Sequence, residues 1–318
     1  MPILKYRNFF ILILVMAFAG CAEDSNPNQT YYPELTEPSL IALYDQVPYM
    51  GNCFEGVLRQ SEKDKVLDQV NMYRAIHKLP AVTYNNEFDI MMQKASLIMV
   101  ANESISHYPL QTQKCWSEEG SQGSAESNLH LGAASEVVNW SSTIAVDNWI
   151  SEEHTLTGLG HRRWVLSPFL KTISFGRVDK VTSEKSHWIG ASLYIFDSWD
   201  QTPANIDFVA CPFEDYPIDG FNKDLYLSFS VLADKTTVWG DNKEVAFGLE
   251  VDVEVFDETN QAMEVVSVNS DYSGAGLPNH LQWKVIGLEN NKRYNVEISK
   301  VTIKGEEKSY DYWFKIKP

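Results

Sequence analysis

Apolar residues recur at two different periods on either side of Cys211-Pro212, and that change limits the folds open to this chain. From Ser61 to Leu79, Val66, Val70, Tyr73 and Ile76 or His77 fall at helical spacing, with Ser61 as the expected cap and Pro80 just beyond the end. A second helix is expected from Asn86, where Phe88, Ile90, Met91, Ala95, Leu97, Ile98 and Met99 form a broad apolar face. A third is expected around Ser142 to Glu153. Beyond Pro212 the period drops to two: Val245, Phe247, Leu249, Val251, Val253 and Val255 recur at every second position, as do Tyr310, Tyr312, Phe314 and Ile316. Hydrophobic residues make up 44% of the chain and aromatics 12%, enough to fill a core in each part.

The helices of the first part are followed by the strands TISFGRV and HWIGASLYIFD, without βαβ alternation, so the expected class is α+β. In the second part LYLSFSVL, AMEVVSVNS, LQWKVIGL and YNVEISKVTI add short strands between polar turns, about seven in all, which suits an antiparallel β-sandwich. Four stretches are expected: 1–20 as an export signal, 21–45 as a flexible acidic tether, 46–211 as an α-β domain and 212–318 as a β-sandwich.

Lys5 and Arg7 precede an apolar run from Phe9 to Phe18 and then small residues, which together read as an export signal. The run is shorter than the ~20 apolar residues a spanning helix needs. Its ending, FAGC, resembles a bacterial lipobox, so Cys21 is the expected lipidation site and the expected partner is the membrane, at the bacterial outer membrane or cell surface. An uncleaved anchor and plain secretion are the alternatives. The tether after Cys21 is rich in Asp, Glu, Asn, Pro and Thr and buries too little apolar surface to offset ordering entropy. Net charge is −17, and residues 1–20 contribute two bases and no acid, so the chain from Cys21 onward is more negative still. With no basic cluster, no nucleic-acid partner is expected.

Of four cysteines, Cys53, Cys115 and Cys211 remain if Cys21 carries lipid, and Cys53 with Cys115 is the pairing open within the first part. Polar chemistry is densest in WISEEHTLTGLGHRRWVLSPFLKTISFG, from Trp149 to Gly176. Its tryptophans serve equally as core anchors, and His154 and His161 as loop histidines held by backbone. Arg162 and Arg163 read as surface or helix-end ion-pair partners. His130, His187 and His280 have no constellation around them in the sequence.

The series MYRAIHKLPAVTYNNEFD, ISHYP, ESNL, AVDNWISEE, GHRRWVLSP and TISFGRV, over about residues 60 to 200, resembles the CAP superfamily of cysteine-rich secretory, pathogenesis-related and venom allergen-like proteins. That resemblance implies an α-β-α sandwich with a cleft lined by two histidines and two acids. Carried over, these are His107 at the end of the second helix, Glu126 of the GEN-like turn, Glu152 after Trp149, and His161. Here the GEN-like turn has Ala125 and Ser127, Glu153 competes with Glu152, and the loop to His161 is long. The pattern GLENNKRYNVEI with YDYWFKI resembles immunoglobulin-like and fibronectin type III domains.

Two imidazoles and two carboxylates in one cleft suit a divalent cation, zinc if histidine dominates and magnesium or calcium if oxygen does. Without a cation they carry protons, or they simply brace helix ends. No nucleophile motif such as G-x-S-x-G or H-E-x-x-H is present, so no catalytic residue is assigned. The expected role is binding of metal, lipid, sterol, glycan or protein at a cell surface. A metal-assisted hydrolase of envelope polymers and an adhesin-like structural protein are the alternatives.

Overall fold

The computed structural model describes residues 35–153, 155, 158–196 and 205–318. The export-signal reading, Cys21 and most of the tether, together with His154, lie outside the described residues.

In chain order the first half contains α1 (Pro38–Ile41), β1 (Tyr44–Gln46), β2 (Val57–Leu58), α2 (Gln60–Ile76), β3 (Thr83–Tyr84), α3 (Asp89–Asn102) and α4 (Glu118–Ala125). These are followed by β4 (Ser127–Ala134), α5 (Ile144–Ser151), α6 (Gly160–Val165), β5 (Thr172–Val181) and β6 (His187–Tyr194). A four-stranded sheet runs β3-β5-β6-β4, with β3 parallel to β5 and the other pairs antiparallel. α2 begins with Arg59 at its N-cap and no side-chain cap, so Ser61 lies inside the helix rather than capping it. The expected second helix opens as a 3-10 turn, Asn86–Phe88, because Asn85 accepts the Glu87 N–H and caps that turn first.

β5 is buried on both faces. Ile173 and Phe175 pack into the core that contains Val66, Val70 and Tyr73 of α2 and Val146 and Trp149 of α5. On the other face Val178 meets Leu97 and Val100 of α3. Helices therefore cover both sides of the sheet, and α3 lies unusually close to it. A Cβ on Gly176 would stand 2.3 Å from a Met92 backbone atom, and one on Gly190 would stand 2.8 Å from the Ser96 carbonyl oxygen. Cys53 and Cys115 are joined in a disulfide, Cα atoms 5.1 Å apart, which ties the segment before α2 to the loop between α3 and α4. Cys211 is a buried free thiol.

Inside the sheet layer sits a wholly buried polar network. Asp179 accepts from Arg177 at 2.8 and 2.9 Å, from the Tyr44 hydroxyl at 2.5 Å and from His187 Nε2 at 2.9 Å. The Val138 N–H points at His187 Nδ1 at 3.3 Å, so the ring proton sits on Nε2 and goes to Asp179. His187 thus has a constellation that the sequence reading missed, assembled from β1, β5 and β6. Burial alone would raise the Asp179 carboxyl, but the Arg177 charge and the three donors bring it down to about 2.

The second half contains β7 (Phe208–Cys211), β8 (Glu214–Pro217), β9 (Leu227–Val231), β10 (Val245–Phe256), β11 (Glu264–Asp271), β12 (His280–Ile286), β13 (Arg293–Ile303) and β14 (Glu306–Lys317). They form two four-stranded sheets, β10-β13-β14-β8 and β11-β12-β9-β7, antiparallel except for β14 with β8. Phe229 of β9 faces Tyr312 of β14 across the gap, ring centroids 6.4 Å apart. The expected inward alternation along β10 fails at Leu249, which is fully exposed. The pairing with β13 shifts register between Phe247 and Asp252, and such a bulge turns the intervening side chains outward.

The two halves share one apolar core. Tyr216 of β8 packs against Tyr73 of α2 with ring centroids 6.0 Å apart, and its hydroxyl lies 3.2 Å from His77 Nε2.

Candidate functional site

The chain that leaves α5 must turn back to begin α6, and Glu152 makes that turn. It adopts the left-handed conformation (φ 54°) at the C-cap of α5, with its N–H on the Asn148 carbonyl. Its carboxylate then spans the loop. Oε1 accepts the backbone N–H of Arg162 at 3.1 Å, in the first turn of α6, where peptide N–H groups lack helical partners. Oε2 accepts from His161 Nδ1 at 3.1 Å and from the Thr155 hydroxyl at 2.5 Å. Burial alone would raise the Glu152 carboxyl, yet hydrogen bonds and charge from His161, with Thr155 and Arg162, hold it below the usual carboxylate value. Glu153 is exposed, so Glu152 is the acid that meets His161.

His107 follows α3 in a loop rather than ending the helix, since Glu103 in the left-handed conformation terminates α3 first. Its Nδ1 lies 2.8 Å from the Ser124 carbonyl oxygen, which can only accept, so Nδ1 carries the proton. The His107 and His161 rings stack with centroids 6.5 Å apart and planes inclined by 27°. With Nδ1 of each ring committed to an oxygen, the Nε2 lone pairs are what the pair offers a ligand.

Glu126 sits at the C-cap of α4, where its oxygens accept from Gln122 at 3.3 Å and from the Tyr194 hydroxyl at 3.2 Å. The fold therefore joins His161 to Glu152 and sets His107 opposite, while Glu126 is bonded elsewhere. Among the described residues, no three His, Cys, Asp or Glu side chains converge as a ready cation site.

The His161–Glu152 pair lies at the side of a cleft of about 550 Å³ whose apolar wall includes Leu129, Leu131, Trp140, Ile144, Trp149 and Ile189. Trp149 is fixed there by its indole N–H, which donates to the Leu129 carbonyl at 2.9 Å. His130, set aside in the sequence reading, also lines this cleft.

Arg162 is not at the surface, and among the described residues no acid pairs with its guanidinium. It is 1% exposed and donates to the Ile150 carbonyl at 2.6 Å, the Ser151 carbonyl at 2.9 Å, the Tyr226 carbonyl at 2.8 Å and Ser228 Oγ at 3.0 Å. Arg163 does pair with an acid, Asp271 of β11, at 2.5 Å, but in the buried seam between the halves.

The profile of the cysteine-rich secretory protein family matches residues 67–191, which span α2 from its second turn through most of β6. Residues 67–191 form a CAP domain. His107, Glu126, Glu152 and His161 all fall within that match. Comparison with curated proteins finds no match for the chain. At the level of the family, a CAP domain marks a secreted or cell-surface interaction protein. No described helix is long and apolar enough to cross a membrane.

Proposed function

We propose that this chain is an exported binding protein, anchored by lipid on Cys21, whose CAP cleft takes its ligand at the His107–His161 pair. The observation that carries this reading is the matched state of the two rings: each Nδ1 is bonded to an oxygen, and the stacked rings keep Nε2 for a third party. A histidine whose other nitrogen donates to a carboxylate or carbonyl is the usual arrangement behind a metal-bound imidazole. The nearer acids are engaged with protein donors, so the donor set favours an imidazole-preferring cation such as zinc over magnesium or calcium. When bound, such a cation would supply a Lewis-acidic point at the side of the cleft. Glu152 orients His161, Ser124 orients His107, and the apolar wall of Leu129, Trp140 and Ile189 takes the carbon portion of an organic ligand.

The test is calorimetric titration of chelator-treated protein with Zn²⁺ and Co²⁺, beside His107→Ala and His161→Ala. Binding at one ion per chain that is lost in both variants, with metal-free melting unchanged, supports the reading. Absence of binding, together with a loss of stability in His161→Ala, means the pair is a brace between α5 and α6. A substrate screen on envelope peptides and glycans then separates a binder from a metal-assisted hydrolase.

A further inference from the structure

The segment that carries Glu152, Thr155 and His161 is clamped from outside its own domain. The Arg162 guanidinium holds the carbonyls of Ile150 and Ser151, the last residues before Glu152, while its own backbone N–H holds the Glu152 carboxylate. One residue thus fixes both the entry and the exit of the loop. What fixes Arg162 is the sandwich: the Tyr226 carbonyl at 2.8 Å and Ser228 Oγ of β9 at 3.0 Å. Two further ties lie beside it. Arg163 reaches Asp271 at 2.5 Å and the Leu277 carbonyl at 2.6 Å, and Gln282 Oε1 of β12 accepts the Gly158 N–H at 2.9 Å.

A guanidinium buried without a paired carboxylate is costly unless every donor direction is met by a fixed acceptor. The acceptors here come from both halves of the chain, so the geometry of the loop is defined only when both are in place. We infer that the C-terminal sandwich is a working part of the cleft, and that Arg162 is the positioning residue through which β9 orients the Glu152–His161 pair. This rests on reading His107 and His161 as the ligand-holding pair.

The experiment uses the full chain with ¹⁵N-labelled histidine. In metal-free protein the His161 Nδ1 proton, held on Glu152, gives a slowly exchanging signal that reports its tautomer. Arg162→Lys keeps the charge and loses the fork. The double change Ser228→Ala with Asp271→Asn alters only the sandwich side and leaves every cleft residue in place, so it decides the matter if Arg162→Lys does not fold. The expected result is that each folded variant loses the slow-exchanging Nδ1 signal and binds Co²⁺ about tenfold more weakly, the scale set by loss of outer-shell support. An unchanged His161 signal in folded variants, with only the melting temperature lowered, overturns the inference and makes the seam mere adhesion. If the parent chain binds no Co²⁺, the metal reading fails, and the His161 signal still decides whether the sandwich positions the pair.

Discussion

The Trp140 indole stacks on the His187 imidazole, ring centroids 4.9 Å apart, so a wall of the cleft rests on a group that is itself locked to Asp179. Asp179→Asn would leave the Arg177 guanidinium buried with its counter-charge gone. The expected loss is about 3–5 kcal/mol, the usual cost of breaking a buried pair from one side. Urea unfolding of the variant checks this, and a loss under about 1 kcal/mol would show that the Trp140 carbonyl and Ser142 hydroxyl, which accept from Arg177 at 2.9 and 3.1 Å, hold the guanidinium without the charge.

Asp179 also sets a low-pH limit. Its folded value of about 2 lies below its ordinary value of 3.8, so its contribution is complete above that ordinary value and disappears as pH falls through the folded one. Glu152 acts in the same direction: against the opposing effect of burial, His161, Thr155 and Arg162 hold its carboxyl below the ordinary 4.5. Melting temperature followed from pH 5 to pH 2 should fall steeply in the parent and less steeply in Asp179→Asn.

His77 has the opposite chemistry and the same sign. Burial, and then the charges of Arg162 and Arg74, lower it from 6.5 to about 3, so below 6.5 the unfolded chain takes up a proton that the folded chain refuses. Stability should drop by about 1.4 kcal/mol per pH unit over that window from this residue alone. Buried His280 is lowered in the same way and steepens the slope. His77→Gln should flatten the stability profile between pH 6 and pH 4, and a profile parallel to the parent's would refute the assignment.

Reduction of the Cys53–Cys115 bond, which closes a separation of 62 residues, should cost about 2–5 kcal/mol. The half-buried Cys53 and Cys115 pack with Met50 and Leu97, so the lost order should be confined to the segment before α2 and the loop after α3. Hydrogen exchange with and without reductant reads that pattern, and protection should persist in β5 and β6.

The parts of this architecture legible in the sequence are those written in local order. Period-two runs marked β10 and β14, helical spacing marked α2 and α3, and the succession of short motifs named His107, Glu152 and His161 as neighbours. What stayed hidden is non-local. His187 finds Asp179 only after the β5–β6 hairpin closes, and Tyr44 joins from the far end of the domain. Arg162 sits in a polar run, GHRRW, that looks like surface, because nothing local shows that β9 brings acceptors to it. Leu249 obeyed the alternation perfectly and still points to solvent, since a bulge is decided jointly by β10 and β13. Glu126 occupies the turn the motif assigns to it, yet its oxygens find Gln122 and Tyr194.

The shared guanidinium of Arg162 also constrains how such a chain can be rebuilt by recombination. A CAP half joined to a different tail would keep all its motifs but lose the two acceptors that the sandwich supplies to this buried group. Any successful exchange would have to bring a replacement for the Tyr226 carbonyl and the Ser228 hydroxyl at the same place, so these two halves are expected to travel through descent as a unit.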